Sequence, residues 1–170
     1  MDAVSLAIYS LNNPFLTQIS SLVNNDYFFD AMLLGIFLAI SNFSKDSKAS
    51  RRVGFAIACM ALAFLVGFAL KDITQVSRPC ALSGSKVPCP LGQYSLPSLH
   101  ASVTFALCLS FFSTELFFPL LAYALFVSFT RIYLGVHTDV DIAAGFGVAC
   151  ISYSILKSHL IQNVVAWMKK

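Results

Sequence analysis

The chain has 170 residues, enough for one domain, and is 58% hydrophobic but only 11% charged, with a mean hydropathy of +0.77. Soluble domains carry about 25% charged residues, and a globule of this size hides only about 60–70% of its unfolded surface. The composition therefore argues against a soluble globule, a disordered chain and a nucleic-acid binder alike, and points to a bilayer as the solvent. The net charge of +3 matters through its placement. No Lys or Arg precedes Lys45; then come Lys45, Lys48, Arg51 and Arg52, and later Lys157, Lys169 and Lys170. Before the first apolar stretch stands only Asp2, so no basic region of a secretory signal is expected, and every membrane segment should stay in the mature protein.

In chain order, the first element is amphipathic. Val4, Ile8, Leu11, Phe15, Ile19 and Leu22 recur at intervals of three and four, marking one helical face, and Pro14 breaks or kinks the run. This predicts a helix over residues 1–24 that lies in the interface or packs beside the bundle, with a sixth full span as the alternative. Residues 27–43 read as a span carrying Asp30 near one end. The clearest span is 53–70, with no charged side chain, about 27 Å of helix against a hydrocarbon core of about 30 Å. Residues 99–112, 116–130 and 142–156 read as three shorter spans with polar ends near headgroups or a wet cavity.

The expected architecture is all-α and integral to the membrane: about five transmembrane helices plus the N-terminal amphipathic helix, a six-helix bundle. It forms one domain over 1–170, divided into 1–24 and a transmembrane core over 25–170. Five spans put the loop at 44–52, the turn at 113–115 and the C-terminus on one side, with seven of the eleven basic residues. The positive-inside rule makes that side cytoplasmic. The segments 71–97 and 131–139 then face outward. Cys59, Cys108 and Cys150 lie in apolar runs and read as small hydrophobes. Cys80 and Cys89 flank a polar loop and could pair on an oxidising side, for about 2–3 kcal/mol.

The outward segments hold the chemistry. Lys71 is followed after six residues by Arg78 and Pro79; Pro97, Ser98, Leu99 and His100 open a span; Arg131 is followed after five residues by His137, and after three more by Asp141. Singly, each has a plain structural reading: Lys71 snorkelling from a helix end, His100 as an interfacial polar residue, Arg131 and Asp141 as an ion pair. His159, alone near the other end of the last span, reads as structural. Together they suit phosphoryl transfer without a metal. Two arginines and a lysine neutralise the equatorial oxygens of a phosphate in flight. Ser98 and the amides of a helix start add donors, two histidines divide nucleophilic and acid–base work, and Asp141 can orient His137 as the third member of a triad does. No acidic cluster suited to magnesium accompanies them.

The segments KDITQVSRP, PSLH and TRIYLGVHTDVD resemble the three-part signature of the type-2 phosphatidic acid phosphatase superfamily, K-x6-R-P, P-S-G-H and S-R-x5-H-x3-D. That superfamily includes lipid phosphatases and vanadium haloperoxidases. The resemblance implies that Lys71, Arg78 and Arg131 hold phosphate with help from Ser98 and the Leu99 amide. His137 would attack phosphorus, His100 would protonate the leaving oxygen and later activate water, and Asp141 would orient His137. Thr130 stands where the pattern has serine and keeps the hydroxyl. Leu99 stands where it has glycine; it suits a negative φ, with its side chain expected at the cavity rim.

The expected activity is hydrolysis of a membrane lipid's phosphate or diphosphate monoester, with no cofactor. Polyprenyl (undecaprenyl-type) diphosphate is the favoured substrate, and phosphatidylglycerophosphate or phosphatidic acid the alternative. A non-catalytic phospholipid-binding or transport protein is the alternative of another class. The expected setting is a prokaryotic plasma membrane with the site facing outside.

Overall fold

The computed structural model describes residues 1–43, 49–89 and 94–168. Lys45, Lys48, Lys169 and Lys170, four of the cations on which the orientation expectation rests, lie outside them.

Among the described residues eight helices form in chain order: α1 (Ala3–Ser10), α2 (Pro14–Asn24), α3 (Asp26–Phe43), α4 (Ala49–Thr74), α5 (Pro79–Ser83), α6 (Leu99–Ser110), α7 (Phe117–Tyr133) and α8 (Asp139–Met168). The N-terminal element is two helices rather than one. Asp2 caps α1 by accepting from the Ser5 N–H at 2.7 Å, Asn13 caps α2 by accepting from the Leu16 N–H at 3.0 Å, and Pro14 occupies the first turn of α2. Two good N-caps so close together, with proline just inside the second, enforce a break.

The apolar stripe faces away from the bundle. Val4, Leu11, Phe15 and Leu22 are exposed, Phe15 to 70%, whereas Ser5, Ser20 and Val23 are buried against the bundle. Both helices pack on α7. Tyr133 ties them down: its hydroxyl is 2.8 Å from Thr17 Oγ1 and donates to the Asn13 carbonyl at 3.0 Å. In a bilayer the apolar stripe meets lipid, so the polar face is the one that needs a protein partner.

Helix α6 is the axis of the bundle and packs against α4, α7 and α8. Every residue from Ala101 to Cys108 is buried. A helix walled on all sides needs no polar face, and Ser102, Thr104 and Ser110 return their hydroxyls to the helix's own carbonyls. The surrounding helices turn large apolar side chains outward, among them Leu65, Phe68, Phe118, Leu125 and Ile151. Helices α4 and α8 are each long and apolar enough to cross a membrane. The pair α2 and α3, bent by 78° at Asn25, would count as a third span if taken as one; α6 and α7 are shorter apolar helices. The fold is an all-α membrane bundle.

Candidate active site

Helix α4 outruns the span read from sequence and carries Lys71 in its last turn. Gln75, with a φ of +49°, ends it, its N–H donating to the Lys71 carbonyl at 3.0 Å. Left-handed backbone costs a non-glycine residue about 1–2 kcal/mol. That reversal lets Arg78, the residue before α5, turn back toward the end of α4. Cys80 and Cys89 are disulfide-bonded, Cα atoms 5.7 Å apart, and close the loop that follows Arg78.

The other motifs meet through α6 and α8. Ser98 immediately precedes α6, and its N–H donates to the Asp141 carbonyl at 3.0 Å, joining the start of α6 to the first turn of α8. Gly145 permits that crossing, since a Cβ there would stand 2.8 Å from the Ser98 carbonyl oxygen. Lys71, Arg78, Ser98, Arg131, His137 and Asp141 are all buried, each 7% exposed or less.

Buried charges are costly unless hydrogen-bonded, and each cation has a fixed anchor. Lys71 Nζ donates to the Tyr94 carbonyl at 2.6 Å and the Ser95 carbonyl at 3.0 Å, so it does not snorkel. Arg78 Nη1 donates to the Val136 carbonyl at 3.4 Å. Arg131 Nη1 donates to Asn24 Oδ1, reaching the end of α2 rather than Asp141, so the Arg131–Asp141 ion pair does not form. Asp141 instead accepts from the Thr138 N–H at 2.8 Å and the Ser95 hydroxyl at 2.5 Å, and lies 3.3 Å from His137 Nδ1.

A carboxylate beside Nδ1 places the ring proton there and leaves the Nε2 lone pair outward, 3.4 Å from Arg78 Nη1. Burial first, then the Arg131 and Arg78 charges, hold the His137 imidazole down to about 3 against the opposing pull of Asp141. His137 is therefore neutral at physiological pH.

His100 is the second residue of α6, its ring against Phe29 with centroids 4.3 Å apart. Its Nε2 lies 3.7 Å from Asp26 Oδ1. Three buried polar atoms of this site, Ser98 Oγ, His100 Nε2 and Arg131 Nε, have no hydrogen-bond partner among the described residues. Buried polar atoms are normally paired, so this group of donors is arranged for something that arrives. Its positive lining specifies an anion.

Leu99 opens α6 at negative φ, so the family glycine is not needed for backbone conformation. Its side chain packs on α4 rather than standing free at a rim: a Cβ at Gly67 would come within 2.9 Å of Leu99 Cδ2. The volume removed at Gly67 takes the volume added at Leu99. Asn24, Asp26 and Ser95, which lie outside the motifs, also shape the site, as does Thr138 at a variable position within the third. The polar run Asn24–Asn25–Asp26 between apolar helices was a visible signal; Ser95 had none. His159 is exposed and lines a separate cavity with Arg51, Arg52 and Lys157. Among the described residues no three His, Cys, Asp or Glu side chains gather as metal ligands.

The PAP2 superfamily model matches residues 52–163. No curated protein matches the chain in sequence. The fold is shared with LpxE of Aquifex aeolicus, at a TM-score of 0.71 and 21% identity over 91% of this chain and 93% of that one. It is also shared with the first transmembrane PAP2 type phosphatidylglycerolphosphate phosphatase from Bacillus subtilis, at 0.66 and 17% over 94% and 84%. With the family model covering well over half of its length, the chain belongs to the PAP2 superfamily and has that superfamily's membrane-helix fold.

Proposed function

We propose that the chain is a metal-independent lipid phosphatase that removes the terminal phosphate of a polyprenyl diphosphate through a phosphohistidine on His137. The observation that carries the phosphatase chemistry is the convergence of Lys71, Arg78 and Arg131, each anchored, around buried donors without partners. His137 Nε2 attacks phosphorus while its Nδ1–H stays on Asp141, which stabilises the charge the ring gains. The bond from phosphorus to the lipid oxygen breaks, and His100, which takes up a proton from solvent when the negative phosphate enters beside it, gives that oxygen the proton. Neutral His100 then takes a proton from water, whose oxygen displaces His137 from phosphorus. Lys71, Arg78, Arg131, Ser98 and the Leu99 amide hold the equatorial oxygens throughout.

The site end carries the Cys80–Cys89 disulfide, and Arg51, Arg52 and Lys157 mark the other end. Both features support a site facing away from the cytoplasm. The structural likeness to a phosphatidylglycerolphosphate phosphatase favours that lipid as the second reading.

Purified protein should release phosphate in chelator from polyprenyl diphosphate faster than from phosphatidylglycerophosphate or phosphatidic acid. Alkaline quench and mass spectrometry should find phosphate on His137, and His137→Ala should abolish turnover. Strict magnesium dependence or an active His137→Ala enzyme would overturn the mechanism. Absence of phosphate release from all three lipids would favour a non-catalytic lipid-binding protein.

A further inference from the structure

A cavity of about 570 Å³ opens at the end of the bundle remote from the catalytic residues, between α4, α8 and the turn after α6. Arg52 at its edge and Lys71 in the catalytic site belong to the same helix, nineteen residues apart, about 29 Å at 1.5 Å per residue. Its walls are apolar and aromatic: Phe55 and Tyr153 meet edge to face with centroids 6.0 Å apart, and Phe112 adds a third ring. Its cations are Arg51 and Arg52 from the start of α4 and Lys157 from α8, the lysine Nζ 5.2 Å from the Tyr153 centroid. Among the described residues, no carboxylate lines it.

A volume of this size falls in the range of ligand pockets, about 300–1,000 Å³. The combination is amphiphilic: a hydrocarbon wall for acyl chain, and cations at the level where a phosphate would sit. Basic pockets between transmembrane helices are suited to anionic lipid headgroups. Free phosphate would leave the aromatic wall unused, and a zwitterionic lipid would bring its own cation among three others. We propose that this cavity binds one anionic glycerophospholipid from the leaflet at that end, with its phosphodiester between Arg51, Arg52 and Lys157 and an acyl chain along Phe55 and Tyr153. A phosphodiester is no substrate for monoester hydrolysis, so the lipid is a resident of this second site.

The test is native mass spectrometry of detergent-solubilised protein with phosphatidylglycerol or phosphatidylcholine of identical chains, in excess inorganic phosphate to occupy the catalytic site. One phosphatidylglycerol should be retained about tenfold more tightly than phosphatidylcholine. The Arg51→Gln, Arg52→Gln, Lys157→Gln triple variant should lose that preference while still hydrolysing substrate. A second measurement keeps all three cations: with Trp167, the chain's one tryptophan, replaced by Phe, a Phe55→Trp probe should be quenched more by brominated phosphatidylglycerol than by brominated phosphatidylcholine. Equal retention of the two lipids, an unchanged preference in the folded triple variant, or equal quenching would overturn the proposal. The lipid-retention and quenching readouts do not depend on the phosphatase mechanism.

Discussion

The two ends of α4 each gather three cations, and they use them in opposite ways. At one end Lys71, Arg78 and Arg131 are buried and held by the carbonyls of Tyr94, Ser95 and Val136 and by the Asn24 amide. At the other, Arg51 and Lys157 are exposed around an apolar cavity. Charge count does not separate Lys71, Arg78 and Arg131 from Arg51 and Lys157; desolvation and anchoring do. A buried, anchored cation is pre-positioned for a transition state and strengthened by the surrounding low dielectric. An exposed one stays hydrated, is screened by salt, and attracts without orienting.

Exchanging one cation for another of equal charge breaks the comparison most sharply. Arg131→Lys keeps the charge but loses the planar fork and the hold on Asn24, so kcat/KM should fall about a hundredfold. Arg51→Lys at the other end should change it less than about twofold. Steady-state kinetics on both variants measures the contrast, and equal losses would show that anchoring is not what distinguishes the ends.

The next effect is on packing. Gly67→Ala puts a methyl group against Leu99 Cδ2 and should cost about 1–3 kcal/mol of stability by overpacking. Leu99→Ala in the same chain should recover most of it, as read by thermal unfolding in detergent.

Ser95→Ala removes the hydroxyl that lies between Asp141 and His137. As a positioning residue, Ser95 should affect kcat about tenfold with little change in KM. Phosphohistidine formation should slow in parallel, and Ser95→Thr should restore part of the rate.

Burying a neutral imidazole has a pH signature. The folded-state value of His137, about 3, is below its usual 6.5, so below pH 6.5 the unfolded chain binds a proton that the folded chain does not. Its contribution to stability is complete above pH 6.5 and is lost as pH falls toward 3, by at most about 1.4 kcal/mol per pH unit. His137→Gln should flatten that slope in unfolding measurements between pH 4 and 7.

The smallest effect is at Gln75. Gln75→Gly relieves the left-handed backbone and should stabilise by about 1 kcal/mol, with activity kept if Arg78 still turns back to the site.

Sequence alone determined the medium, the helical class and the residues that make up the family motifs. Apolar runs long enough for a bilayer and the spacings Lys71–Arg78, Ser98–His100 and Arg131–His137–Asp141 are properties of composition and local order. What pairs with what was decided by tertiary structure, because those partners are set by where helices cross. Ser95 meets Asp141 from 46 residues away, and Asn24 meets Arg131 from 107. The bilayer also made the N-terminal stripe misleading as a guide to burial. Periodicity marks an apolar face but does not say whether protein or lipid covers it, and here Ser5 and Ser20 are buried while Val4 and Phe15 are exposed. Leu99 shows the same division. Its departure from the family pattern was visible in the sequence, but its accommodation depends on Gly67, 32 residues earlier, which only the packing of α6 on α4 brings opposite.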